Sequence, residues 1–225
     1  MSREPLKKIN IALILCTMAF LVCYDTFGGL WLKGVTSAWF VLLGGVNLWA
    51  ARKLQWKQLR FYVLVEAGLL CGMCADVLLG VDFFVGIGVF ALGHVLYLIA
   101  FYSLEKVCFR DLWIIGPLTA ISVFVVIGTP WICVTDPILR KLLLGYAVII
   151  AAMLGKAISN LISSPSPYRW LLALGGLLFW FSDLMLAIDI FGQPSRLTWI
   201  LCSYTYWPAQ TIIAHSLFHA RPVRT

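Results

Sequence analysis

Two aspartates, Asp76 and Asp183, stand in apolar stretches where a carboxylate is expensive. Asp183 lies in LLFWFSDLMLAIDIF, Leu177 to Phe191. Placing an Asp at the centre of a membrane helix costs about 2.5–3.5 kcal/mol, so such residues face a bundle interior, pair with other polar groups and mark sites. Two carboxyls in a low dielectric can divide roles, one holding a proton while the other is ionised, which is the basis of acid/base chemistry. The same residue type can also relay protons through a transporter. Lys33, Glu66, His94 and His215 are the other ionisable groups in apolar runs, with Asn47, Gln210 and several tyrosines as neutral company.

Spacing sorts these residues. Gly72 and Asp76 are four apart, His94 and Tyr97 three, Tyr206 and Gln210 four, so each pair shares one helix face. A lone Gln or Tyr is more often glue between membrane helices than a site residue; the two aspartates carry the functional reading. His215 and His219 have the spacing of a metal pair, but no third ligand accompanies them, and no resident metal or other cofactor is expected. Cys71 and Cys74 form a C-x-x-C inside an apolar run with no second pair, which argues against a redox or metal role.

The elements that must position these groups follow from composition. The chain has 225 residues, is 62% hydrophobic and only 12% charged, and has a mean hydropathy of +0.94. Soluble domains average about 25% charged residues. The expected fold is all-α: one polytopic membrane helical bundle over residues 1–225. The basic N-terminal flank and first apolar run are expected to form a retained helix, since no small-residue cleavage site follows. Eight runs approach the roughly 20 residues that a span requires: Ile9–Tyr24, Leu30–Ala50, Phe61–Gly80, Phe83–Ser103, Leu112–Gly128, Pro137–Leu161, Tyr168–Phe191 and Leu197–Phe218. The breaks carry turn chemistry, including DTFGG, GVD and SSPSP.

The basic residues orient the bundle. With both termini cytoplasmic, thirteen of the 17 Lys and Arg fall inside, Lys57, Lys156, Arg221 and Arg224 among them. Lys33, Arg140, Lys141 and Arg196 fall outside. That bias fits the positive-inside rule and eight transmembrane helices, and it explains the net charge of +7 without nucleic acid. At about 1.5 Å per residue, Asp183 lies about 10 Å in from the outer end of its span, His94 about 16 Å, and Tyr206 and Gln210 about 14 and 20 Å. Asp76 ends span three on the outer side and Lys33 begins span two there. One pocket lined by Lys33, Asp76, His94, Tyr97, Asp183, Tyr206 and Gln210 is therefore expected.

Four motifs occur in order: CADVLL in span three, ALGHVLYLIAF in span four, GGLLFWFSDLMLAID in span seven and YTYWPAQTIIAHS in span eight. Together they resemble the YhhN-like lysoplasmalogenase family over about Lys33 to Ser216. The resemblance assigns the family's span-three Asp to Asp76 and its span-four His and Tyr to His94 and Tyr97. Its span-seven Ser-Asp falls on Ser182 and Asp183, its span-eight Tyr and Gln on Tyr206 and Gln210, and its span-two Lys on Lys33. Gly34 follows that Lys where many members have Pro, and CAD stands where Gly-Asp is common. The implied activity is hydrolysis of the vinyl ether bond of a lysophospholipid substrate, a lysoplasmalogen, to a fatty aldehyde and glycerophosphocholine or glycerophosphoethanolamine.

That reaction suits the residues. A vinyl ether hydrolyses by protonation at the β-carbon, addition of water at the α-carbon and collapse of the hemiacetal. Asp76 and Asp183 are the expected acid/base pair, with His94 orienting a carboxylate and Tyr97, Tyr206 and Gln210 holding water or the glycerol hydroxyl. Lys33 is expected at the mouth, near the phosphate. A transporter or lipid-binding protein using the acids as a proton relay is the alternative; internal repeats and broken helices, its usual marks, are not evident. A metal-dependent hydrolase of the ceramidase kind would need more histidines than three. Compact loops suit a bacterial inner membrane.

Overall fold

The computed structural model describes residues 3–56 and 58–220. Among these residues it contains eight α-helices and no strand: α1 Arg3–Phe27, α2 Leu30–Lys53, α3 Leu59–Leu78, α4 Phe83–Leu104, α5 Phe109–Gly128, α6 Pro137–Ser163, α7 Pro167–Phe191 and α8 Arg196–His219. Lys57, Arg221 and Arg224 of the expected inner set lie outside the described residues.

Local chemistry sets the breaks. Gly28 and Gly29 turn the chain between α1 and α2 at φ values of 66° and 96°, a region that favours glycine. Asp82 caps α4 by accepting from the Val85 amide at 3.1 Å. Asp136 caps α6, its Oδ1 accepting from the amides of Ile138 at 2.7 Å and Leu139 at 2.9 Å, and Pro137 follows at the first helical position, where its missing N–H costs nothing. α5 begins at Phe109, three residues before the expected Leu112, because Asp111 accepts from the Cys108 amide at 3.1 Å and from the Cys108 thiol at 3.3 Å.

The helices form a closed ring. α1 packs on α2, α2 on α3, α3 on α4, α4 on α6, α6 on α7, α7 on α8, and α8 returns to α1. α8 also touches α2 and α3, while the backbone of α5 lies against α6 alone among the described residues. Phe40, Leu43, Tyr62, Leu69, Phe101 and Met153 fill the interior. Large apolar residues such as Leu15, Leu112, Trp113 and Phe124 point outward, as they do where a bilayer replaces water.

Seven of the eight helices, α1 to α7, are long and apolar enough to cross a membrane; α8 is not. The reason is its surroundings. α8 is flanked by α1, α2, α3 and α7, and it buries Ser203, Gln210, Thr211 and Ser216 against them. A helix enclosed by protein can carry polar groups that lipid would reject.

The N-terminal end of α5 is fastened to α6 by a buried ion pair. The Lys156 ammonium, fully buried, donates to Asp111 Oδ2 at 2.9 Å and to the Lys106 carbonyl at 3.0 Å. It also lies 4.4 Å from the Tyr102 ring centroid. Ser159 donates to Asp111 Oδ1 at 2.5 Å. The charge bias assigns Lys156 to the inner flank; the fold gives it a carboxylate partner inside the bundle.

Candidate active site

The expected site residues fall into two hydrogen-bonded groups. The first joins α2, α3, α4 and α8 around Asp76, which is 2% exposed. Asp76 Oδ2 accepts from the Ser37 hydroxyl at 2.5 Å and the Tyr206 hydroxyl at 2.8 Å. Its Oδ1 lies 3.7 Å from the Lys33 ammonium. The Tyr206 oxygen accepts from the Gln210 amide at 3.4 Å, and Gln210 Oε1 accepts from the Tyr97 hydroxyl at 2.6 Å. Trp207 donates to Ser37 Oγ at 3.1 Å.

Gly72 makes room for this chain. A Cβ added there would overlap the Gln210 amide nitrogen and come within 3.3 Å of the Tyr206 hydroxyl. Gln210 is fully buried and bonded at both ends of its amide, so it has no slack. Gly72→Ala is expected to break the Tyr97–Gln210–Tyr206 chain and destabilise the protein by about 1–3 kcal/mol, read as a lowered Tm in detergent.

The second group joins α4, α6 and α7 around Asp183. The Tyr146 hydroxyl donates to Asp183 Oδ2 at 2.5 Å. His94 Nε2 lies 2.9 Å from the Tyr146 oxygen and 3.2 Å from the same Oδ2. Since the Tyr146 proton is committed to Asp183, His94 must donate through Nε2, to the phenol oxygen and the carboxylate together. Its Nδ1 is buried without a partner. Both donors converge on Oδ2, and Oδ1 of Asp183 receives no hydrogen bond from the described residues.

Asp183 and Tyr146 form a shared wall between two apolar clefts. The first, about 430 Å³, runs between α4, α6 and α7 and is lined by Phe83, Ile87, Phe90, Leu143 and Leu186 among others. The second, about 440 Å³, runs between α5, α6 and α7, with Ser122, Ile150 and Trp180 on its walls. Trp180 donates to Ser122 Oγ at 2.8 Å, which satisfies the two polar groups of the second wall.

Asp76 and Asp183 share no partner among the described residues, and Asp76 lines neither cleft. Aromatic rings lie between the two groups: Phe179 stands 4.5 Å from the His94 ring and 5.3 Å from that of Tyr206, and Phe90 stands 5.7 Å from Tyr206. Ser182 turns away from the clefts and donates to the Cys202 carbonyl of α8 at 3.2 Å. Lys33 meets Asp76 and lines neither cleft. His215 and His219 lie elsewhere, their Nε2 atoms 3.3 Å apart and His215 Nδ1 3.1 Å from Asn10 Oδ1.

Sequence reasoning missed Tyr146, Ser37 and Trp207. Ser37 follows Lys33 by one helical turn, a signal that could have found it. Tyr146 sits in the aliphatic run LLLGYAVII, where nothing local reveals which way its hydroxyl points.

A family model described as the YhhN family matches residues 37–217, a stretch that includes both hydrogen-bonded groups apart from Lys33. No curated protein and no solved structure matches the chain.

Proposed function

Because the chain belongs to the YhhN family, we propose that it is a lysoplasmalogenase, cleaving the vinyl ether of a lysophospholipid by acid/base catalysis at Asp183. One observation carries this reading: a carboxyl group in the wall shared by two apolar clefts, with one oxygen held by two donors and the other unbonded. Oδ1 is the atom that can meet a substrate, and it carries the transferred proton.

The step balances without a cofactor. Asp183 Oδ1 gives its proton to the β-carbon, the C=C electron pair forms the new C–H bond, and an oxocarbenium ion results. The carboxylate left behind is stabilised by the Tyr146 and His94 donors at Oδ2. Water adds at the α-carbon and passes a proton back to Asp183. The hemiacetal then collapses: Asp183 protonates the glycerol oxygen as the C–O bond breaks, and the hemiacetal hydroxyl proton returns to the carboxylate. One water is consumed, and a fatty aldehyde and a glycerophospho-alcohol leave.

Asp76 acts differently in this scheme. Saturated by Ser37, Tyr206 and Lys33, it is a positioning residue: it fixes Tyr206, whose ring packs on Phe90 and Phe179 behind the first cleft and His94. Tyr97 and Gln210 hold Tyr206 from its other side. A proton relay through both aspartates has less support, since rings rather than hydrogen bonds lie between them.

The proposal extends to the membrane. α8 completes eight spans with both termini cytoplasmic, in a bacterial inner membrane, and the clefts then open toward the non-cytoplasmic leaflet. The test is aldehyde release from 1-alkenyl lysophospholipids by the purified protein in detergent; no release above blank overturns the reading. Tyr146→Phe removes one donor to the carboxylate. Its loss is worth about 1.5–3 kcal/mol for a bond to a charged group, so kcat is expected to fall about 10- to 100-fold in that assay.

A further inference from the structure

We infer that Arg140, at the mouth of the clefts, is the phosphate anchor that sets lysophospholipid preference; the inference rests on the proposed reaction. Such a substrate carries one phosphate, and neither cleft contains a cation. Phe83, Phe191 and Ile132 carry the clefts to the end where α6 begins, so the charge lies beyond that end. Four basic residues stand at that end. Lys33 is taken by Asp76 at 3.7 Å, and Arg196 by Asp25 at 2.8 Å. Arg140 and Lys141 make no ion pair among the described residues.

Helix geometry separates these two. α6 lines the clefts with Leu143, Tyr146, Ala147 and Ile150. At about 100° per residue, Arg140 stands within about 20° of Ala147 and about 60° of Leu143 around the axis, one turn outward. Lys141 stands about 160° from Leu143, on the other side of the helix. Asp136, four residues before Arg140, commits Oδ1 to the amides of Ile138 and Leu139. Arg140 is exposed, makes no ion pair among the described residues and stands at the edge of the cleft stripe, nearest Ala147 of the second cleft, and its planar fork matches a phosphate with two parallel hydrogen bonds. A chain in either cleft, with its vinyl ether at Asp183, leaves the glycerophosphate directed outward along that stripe.

Arg140→Gln is expected to raise KM for a lysoplasmenyl choline or ethanolamine lipid about tenfold, the scale of one charge-assisted bond pair, with the loss falling on KM rather than kcat. Lys141→Gln leaves KM as in the wild type. The wild type favours the phosphate-bearing substrate over 1-alkenylglycerol in KM, and that ratio collapses in Arg140→Gln. Binding of a non-hydrolysable 1-O-alkyl lysophospholipid to the full chain in detergent gives a readout free of hydrolysis: Arg140→Gln weakens it about tenfold. If the alkyl lipid binds in this Arg140-dependent way but no vinyl ether is cleaved, the anchor stands and the reaction falls. If Arg140→Gln binds the alkyl lipid like the wild type, or Lys141→Gln loses as much, the anchor falls, whatever the turnover.

Discussion

Asp183→Asn is expected to release no measurable aldehyde from lysoplasmenyl lipid while the protein keeps its fold. The amide is nearly isosteric with the carboxyl. Its oxygen can take the place of Oδ2, accepting from Tyr146 and His94 as the carboxylate does at 2.5 and 3.2 Å. Its nitrogen then occupies the position of Oδ1, facing the clefts with no transferable proton. General acid/base groups contribute about 10²–10⁴-fold, and in the proposed reaction one group serves each proton transfer, so the loss is expected at the upper end. Size exclusion and thermal unfolding in detergent establish that the fold is intact. Asp76→Asn makes the contrast. It leaves Lys33 without its counter-charge and loosens Tyr206, so stability falls and turnover slows, yet aldehyde still forms. Full activity in Asp183→Asn would remove that residue from the chemistry. Complete loss in a folded Asp76→Asn would show that Asp76 is more than a positioning residue.

The second large effect is on stability. Lys156→Met leaves Asp111, only 3% exposed, inside the bundle without its cation. Removing one partner of a buried pair costs roughly 3–5 kcal/mol, because the surviving charge is stranded. Ser159, still donating at Oδ1, offsets only part of that. The double variant Lys156→Met with Asp111→Asn removes both charges and is expected to recover much of the loss, since buried ion pairs often add little over uncharged replacements. Reversible unfolding of the wild type, both single variants and the double variant in mixed micelles gives the coupling energy. A Lys156→Met protein as stable as the wild type would mean that water or lipid headgroups reach Asp111. Activity is a secondary readout, because α5 forms one wall of the second cleft and α6 holds it.

The helices were legible because a long apolar run bounded by Gly, Pro and Asp admits few other readings. Part of one polar group was legible as well: counting residues from the ends of the runs placed Tyr206 and Gln210 in a layer with His94, whose face Tyr97 shares, and Tyr97, Gln210 and Tyr206 are bonded in sequence. Azimuth was not. Which way a residue faces within a bundle depends on the rotation of each helix against its neighbours, and no spacing rule gives that. So Asp76 and Asp183, close in depth, answer to different helices, one to α2 and α8, the other to α4 and α6. Ser182, adjacent to Asp183, points about 100° away from it and meets α8. Tyr146 was hidden for the same reason. The partner of Lys156 was hidden differently, since a charge rule that scores loops has no means of recognising a lysine paired with another helix's carboxylate.

The polar character of α8 has a consequence for biogenesis. Its segment would partition poorly into lipid unaided, yet α1, α2, α3 and α7 are all made before it. Those four present the groove that receives it, with Ser37, Asp76 and Asn10 waiting for Trp207, Tyr206 and His215. The polar network is therefore assembled only when α8 docks and the ring closes. A chain stalled before that point would hold Asp76 beside an empty seam, without its Tyr206 donor.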